Sequence, residues 1–232
     1  LSVQNAGLYA QTLPAGTPAP HTRPPLAELI RGDHGVKEIA LTFDDGPHPK
    51  HNFTPRLLDL LRALNVHATF FLVGERVDDK PEFVARMVRE GHAVANHTYH
   101  HCNLRKMPPS LVADEIQMGS DAVWRACGVR TQYFRPPGGQ FDPVVVHAAS
   151  QLGVTTVLWT DDPADYASPG AEVIEQRLLT RVRPGAIVLL HDGIEQTLQI
   201  LPDLVARFRA QGYRFVTVPE MAGRLEASSV VR

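Results

Sequence analysis

The sequence predicts an α/β fold: a distorted (β/α) barrel with about seven parallel strands, TIM-barrel-like. Three observations carry this prediction. From Lys37 onward short β-rich runs alternate with segments of helical period. Several of these runs are apolar on both parities, as strands buried on both faces of a parallel sheet must be. Five of the seven runs end in ionisable residues, and a parallel barrel gathers such ends at one mouth where an open sheet would collect fewer at a switch point.

Taken in order, residues 1–36 read as a Pro-rich N-terminal leader punctuated by Pro14, Pro18, Pro20, Pro24 and Pro25, with no sustained hydrophobic period. Residues 37–232 read as one folded domain. Its expected strands are Glu38–Phe43, Ala68–Val73, His92–Asn96, Gln132–Arg135, Thr155–Thr160, Ala186–Leu190 and Arg214–Val218. The first helix is expected to be N-capped by Thr54, with Pro55 at its first position and Leu57, Leu58, Leu61 and Leu64 on one stripe. Phe83, Val84, Met87 and Val88 repeat that stripe before Gly91. A further helix is expected over about Pro109 to Ala126. In the last long helix Leu198, Leu201, Leu204, Val205 and Phe208 share a face, Pro202 is expected near the start and Gly212 supplies the stop.

Composition narrows the function. The 232 residues are 44% hydrophobic and 21% charged, enough for a substantial core and too little charge for a disordered chain. With 23 basic and 25 acidic residues the net charge is -2, and no Lys/Arg run exceeds a pair, so a nucleic-acid partner is not expected. No apolar stretch approaches the roughly 18 residues of a transmembrane span. Cys102 and Cys127 are expected as two free thiols, which leaves neither a disulfide scaffold nor a Cys-type zinc site. Leu1 in place of a Met suggests a trimmed N-terminus and leaves export open.

The strand ends carry the chemistry. Asp44 and Asp45 follow the first strand, His97 to His101 the third, Arg135 with Gly138 and Gly139 the fourth, Asp161, Asp162 and Asp165 the fifth, and His191 with Asp192 the sixth. His97 and His101 are spaced i, i+4, which on a helical turn aims both imidazoles at one point; a carboxylate from a neighbouring strand end completes a zinc-like set of three ligands. Successive residues at a strand end diverge, so one of Asp44 and Asp45 ligates while the other takes the proton of an attacking water. Metal-assisted acyl hydrolysis follows. His191, expected on the far side of the barrel order from the metal residues, is placed as a general acid, with Asp192, Asp162 or Asp165 to orient it. Arg135 can keep a catalytic carboxylate ionised, and the N–H groups at Gly138 and Gly139 can receive an oxyanion.

With these residues in place, the chain resembles polysaccharide deacetylases of the NodB-homology type, carbohydrate esterase family 4, over about Glu38 to Gly223, with five motifs in order. The resemblance implies Asp44 as general base, Asp45, His97 and His101 as ligands of a divalent metal, most often Zn2+ with Co2+ or Ni2+ as substitutes, and His191 as general acid. It implies that Arg135 pairs with Asp44, that Asp165 orients His191, that Leu189 lines the pocket for the acetyl methyl and that the Gly138 N–H helps hold the oxyanion. Many members carry Tyr at the position of Gly138 and Trp at that of Tyr166, so one aromatic wall is missing while Tyr166 still offers a ring for sugar stacking. Tyr99 and Phe141 can supply replacement apolar surface near the mouth, or equally belong to the core.

The implied activity is hydrolysis of N-acetyl groups from N-acetylglucosamine units of a peptidoglycan- or chitin-type glycan by a monomer that is secreted, periplasmic or cell-wall associated. The alternatives are an O-acetyl esterase on a xylan-type polysaccharide, which would use the same residues, and a non-catalytic glycan-binding barrel. An Fe(II) oxygenase fits the two-His-one-carboxylate set, but the strand-helix alternation argues against it.

Overall fold

A computed structural model of the protein describes residues 28–48 and 50–230. Eight strands appear among them, every pairing is parallel, and the order is β1, β6, β5, β4, β3, β2, β7, with β8 beside β2. The strands are β1 Glu28–Leu29, β2 Glu38–Gly46, β3 Thr69–Leu72, β4 Ala93–Asn96, β5 Tyr133–Phe134, β6 Thr155–Val157, β7 Ala186–His191 and β8 Arg214–Phe215. The helices are α1 Phe53–Ala63, α2 Gly74–Asp79, α3 Pro81–Arg89, α4 Pro109–Cys127, α5 Pro143–Gln151, α6 Ala171–Arg181, α7 Glu195–Ala210 and α8 Val218–Val230.

The seven expected strands are present, and β1 is an addition. It lies in the stretch read as leader, where two residues are too few to show a period, yet Glu28 and Leu29 pair with Thr156 and Val157. Residues 1–27 of the leader lie outside the described residues. The ladder does not close as a regular barrel. Its ends meet outside the regular ladder: Thr160 N donates to the Ile187 carbonyl and Leu189 N to the Asp161 carbonyl, each at 2.9 Å, around a bridge between Asp161 and Val188, and Gly32 N donates to the Gly185 carbonyl at 2.8 Å.

Period-two alternation sorts the strand residues into two layers. Ile39, Leu41 and Phe43 of β2, Phe70 and Leu72 of β3, and Ala186, Val188 and Leu190 of β7 face the helices and build the larger core. Ala40, Phe71, Ala95, Val157 and Ile187 face inward and pack with Val218, Met221 and Ala222 of α8. Because Val218 N donates to Thr69 Oγ1 and Arg214 and Arg224 pair with Glu38, α8 closes the end where the strands begin. The end where they finish stays open, and the inward parity of β2 runs Ala40, Thr42, Asp44 toward it.

Several local expectations need correction. Thr54 is not the N-cap of α1: the helix starts at Phe53 after Asn52, and the Thr54 hydroxyl instead accepts from His48 N and donates to Asp192 Oδ2, each at 2.7 Å. Pro202 lies inside α7 rather than near its start. A Pro there forfeits one helical hydrogen bond, and the buried stripe from Leu198 to Phe208 outweighs that loss. Most decisively, β7 pairs directly with β2, with Asp44 opposite His191. His191 is therefore beside β2, not across the barrel from it, because the long-range strand order and not the chain order sets the neighbour. Cys102 and Cys127 are both free and partly buried. No helix among the described residues is long and apolar enough to cross a membrane.

Candidate active site

The open end of the barrel holds a cavity of about 310 Å³ lined by Asp44, Asp45, His97, His101, Gly138, Trp159, Asp162, Tyr166, Leu189 and His191. Asp44 arrives there on the inward parity of β2. Asp45 should then turn away, and a β-bulge prevents it: between Phe43 and Gly46 the register with β3 gains one residue, and Asp45 takes a φ of +68°. Arg76 of α2 donates to the Asp45 carbonyl and so braces the bulge. Both carboxylates face the same cavity as a result.

Asp45, His97 and His101 each place one ligand atom within 4.8 Å of the other two. The Nε2 atoms of His101 and His97 lie 3.0 and 3.6 Å from Asp45 Oδ1. That oxygen is buried and has no partner in hydrogen-bonding geometry. A carboxylate oxygen left so, facing two imidazole nitrogens, is what a divalent cation with oxygen and nitrogen donors requires, and the donor set fits one. His97 Nδ1 lies 2.7 Å from the Arg135 carbonyl, which can only accept, so Nδ1 carries the hydrogen and Nε2 keeps its lone pair for a ligand. Burial holds His97 below the ordinary imidazole pKa, favouring that neutral form. Burial alone would raise the Asp45 carboxyl; the contact with His101 and the charges of His97, His101 and His191 outweigh it and hold Asp45 well below the usual carboxylate range.

The expected helical turn between the two His residues is absent. Residues 97–101 form an irregular loop in which Thr98 and His101 have φ of +67° and +56°, so the two rings converge through loop geometry, with centroids 5.0 Å apart.

Behind Asp44 stands Arg135, with no exposed surface. Its Nη1 donates to Asp44 Oδ1 and to Thr42 Oγ1, each at 2.7 Å, its Nε to the Val157 carbonyl at 3.2 Å and its Nη2 to the Leu158 carbonyl at 3.1 Å. The guanidinium also sits 4.0 Å from the Phe71 ring centroid. Such a cation fixes one oxygen of Asp44 and leaves Oδ2, 3.6 Å from His97 Nε2, toward the cavity.

On the neighbouring strand β7, His191 Nδ1 lies 2.6 Å from Asp165 Oδ1, so Nδ1 donates and Nε2 is left for a mobile proton. Asp165 is fully buried; its Oδ2 accepts from His191 N at 2.9 Å and from Thr197 Oγ1 at 2.7 Å. Burial would lower the His191 pKa, yet the hydrogen bond and charge of Asp165, with Asp44 and Asp45, lift it above the ordinary value. Of the three orienting candidates only Asp165 touches His191. Asp162 lines the cavity, and Asp192 turns its side chain to Thr54.

Tyr166 sits edge-on to His191 with centroids 5.4 Å apart and is 58% exposed. Tyr99 and Phe141 do not line the cavity: the Tyr99 hydroxyl donates to Asp78, and Phe141 packs on the cluster of Leu104, Val112 and Phe134. The aromatic wall is Trp159 instead. Its Cη2 would lie 2.7 Å from a Cβ at position 139, so Gly139, already at a φ of +64°, is what lets the ring approach. Sequence reasoning missed Trp159 although the inward parity of β6 continues through Val157 to it. Thr197 and Arg76 carried no local signal.

Comparison with known proteins agrees with this geometry. The polysaccharide deacetylase family model matches residues 31–157. A peptidoglycan-N-acetylglucosamine deacetylase of Bacillus cereus is 40% identical over 190 residues, covering 80% of this chain and 88% of that protein. A chitooligosaccharide deacetylase of Bradyrhizobium sp. is 38% identical over 202 residues, covering 81% and 91%. Among solved structures, a CE4 family pseudoenzyme from Bacillus anthracis superimposes with a TM-score of 0.80 at 30% identity, covering 84% of this chain and 68% of that one. With more than half of its length matched by the family model, this chain belongs to the polysaccharide deacetylase family.

Proposed function

We propose that the protein is a metal-dependent hydrolase that removes N-acetyl groups from N-acetylglucosamine units of a peptidoglycan- or chitin-type glycan, acting at the cell wall or outside the cell. The observation that carries this reading is the convergence of Asp44, Asp45, His97, His101 and His191 on one cavity, with Arg135 and Asp165 buried behind the first and the last. The relatives that act on peptidoglycan N-acetylglucosamine and on chitooligosaccharides supply the substrate class.

Asp45, His97 and His101 would hold the ion, with zinc favoured by two imidazoles and one carboxylate and cobalt or nickel as substitutes. A bound divalent ion polarises the acetyl carbonyl and lowers the pKa of water to about 7. Asp44, one oxygen fixed by Arg135, accepts the proton from the water whose oxygen bonds to the acetyl carbon. Gly138 and Leu189 line the cavity, where the Gly138 N–H would receive the developing oxyanion and Leu189 would bound the space for the methyl group. His191, its pKa lifted by Asp165, gives its proton to the nitrogen as the C–N bond breaks, so that acetate and a free amine leave. Tyr166 and Trp159 offer ring surface for the sugar.

The test is acetate release from N-acetylglucosamine oligomers and from O-acetylated xylan, with untreated, chelated and zinc-restored protein. Release from the oligomers that a chelator abolishes and zinc restores is expected, and Asp44→Asn should abolish turnover while zinc still binds. Full turnover in that variant removes Asp44 from the mechanism. Release from the xylan ester alone makes the protein an O-acetyl esterase, and tight glycan binding without release from either makes it a binding barrel.

A further inference from the structure

The loop that carries both imidazoles of the candidate metal site is held from two sides by residues outside the cavity. Its carbonyls point to α2, where Gly74 N and Glu75 N donate to the Thr98 and Tyr99 carbonyls, each at 3.0 Å. Its amides point to α4. Glu115 Oε2 accepts from Tyr99 N at 3.2 Å and His100 N at 3.0 Å, while Oε1 lies 2.6 Å from His100 Nδ1. The Glu115 side chain is only 12% exposed, although the His100 ring it meets is 52% exposed, and as a carboxylate it makes charge-assisted hydrogen bonds to the two amides.

Two glycines make the clamp possible. A Cβ at position 119 of α4 would lie 2.4 Å from Asn96 Oδ1 and 2.9 Å from the Thr98 carbonyl carbon; one at position 74 would lie 2.5 Å from Tyr99 Cδ2. With both absent, α2 and α4 close directly on the loop. Asn96 completes the frame, its Nδ2 donating to the Ile116 carbonyl at 2.6 Å and its Oδ1 accepting from Thr98 N at 2.8 Å. The loop needs such a frame because Thr98 and His101 both hold positive φ, which L residues with a Cβ adopt only when surrounding contacts impose it.

We propose that Glu115 is a positioning residue for the metal centre: by binding the Tyr99 and His100 amides it fixes the Thr98–His101 turn and so brings His101 to the same point as Asp45 and His97. This inference rests on reading Asp45, His97 and His101 as metal ligands. Glu115 does not line the cavity, and its effect reaches the site only through the loop backbone.

The experiment compares wild type, Glu115→Gln, Glu115→Ala and Gly119→Ala. Zinc affinity is read by competition with a chromophoric chelator, and thermal unfolding is read on the metal-free proteins. Glu115→Ala is expected to weaken zinc binding roughly 10- to 100-fold, as loss of an outer-shell partner does. Glu115→Gln, which keeps one carbonyl oxygen for the two amides, should recover a large part of that loss. Gly119→Ala should weaken zinc binding in the same direction through the displaced Asn96 and Thr98. A lower unfolding temperature with wild-type zinc affinity in Glu115→Ala would overturn the inference and leave Glu115 a structural residue. Absence of zinc binding in wild type would instead overturn the metal reading itself, and the positioning role with it.

Discussion

Replacing Arg135 with Met tests how the Asp44 carboxylate is held. The guanidinium has no exposed surface and donates four hydrogen bonds, to Asp44 Oδ1, Thr42 Oγ1 and the carbonyls of Val157 and Leu158. Asp44 is itself buried, so Met fills the volume and leaves its carboxylate without a counter-charge. Breaking a buried pair from one side costs about 3–5 kcal/mol. For a domain of this size that corresponds to a drop of roughly 2–4 °C in Tm per kcal/mol. The assay is urea unfolding of metal-free protein for wild type, Arg135→Met, Asp44→Asn and the double variant, arranged as a cycle. Asp44→Asn removes the charge that Arg135→Met strands, so the double variant should lose much less stability than the two single losses added together. Simple additivity, or a loss below about 1 kcal/mol in Arg135→Met, would refute the view that the pair is a coupled buried unit. Turnover should fall with it, since Asp44 loses the contact that fixes one of its oxygens.

Two further perturbations read separate parts of the structure. Asp165→Asn removes the charge that, against burial, lifts the His191 pKa, so the alkaline limb of the kcat/KM profile should move to lower pH; an unmoved limb would separate His191 from the proton-donating role. His92 is buried at the start of β4 with its Nδ1 accepting from Ala68 N at 3.1 Å, and burial takes its pKa from 6.5 down to about 4. The unfolded chain therefore binds a proton that the folded one does not between those values. Stability should be full above pH 6.5 and fall by up to about 3 kcal/mol as pH drops toward 4, which urea midpoints across that range would show and His92→Gln should flatten.

Much of the site was legible because parallel (β/α) folds place their chemistry at strand ends, and strand ends are local features of a sequence. Asp44, Asp45, His97, His101, Arg135, Asp165 and His191 could all be picked out by that criterion, and the structure gathers them around one cavity. What the residues could not say was how the two neighbouring carboxylates share a site. The β-bulge at Asp45 depends on the register with β3, a strand more than twenty residues later. The i, i+4 spacing of His97 and His101 suggested a helix, and the helix is absent because α2 and α4 hold the loop's carbonyls and amides instead. Trp159 was readable in principle from the parity of β6, whereas Glu115 and Thr197 lie on helices whose own periodicity gives no sign of the loop and carboxylate they serve.

The sequence by itself determined the alternation of parallel strands with helices and the chemical identity of the residues at the barrel mouth, because these follow from local hydrophobic patterning and from strand ends. The tertiary structure alone decided that β7 lies against β2 with His191 opposite Asp44, that Arg135 reaches across to Asp44, and that β1 joins the sheet beside β6. Those are contacts between segments far apart in the chain, and they are chosen by which packing of the layers buries the apolar faces together and leaves the buried charges paired.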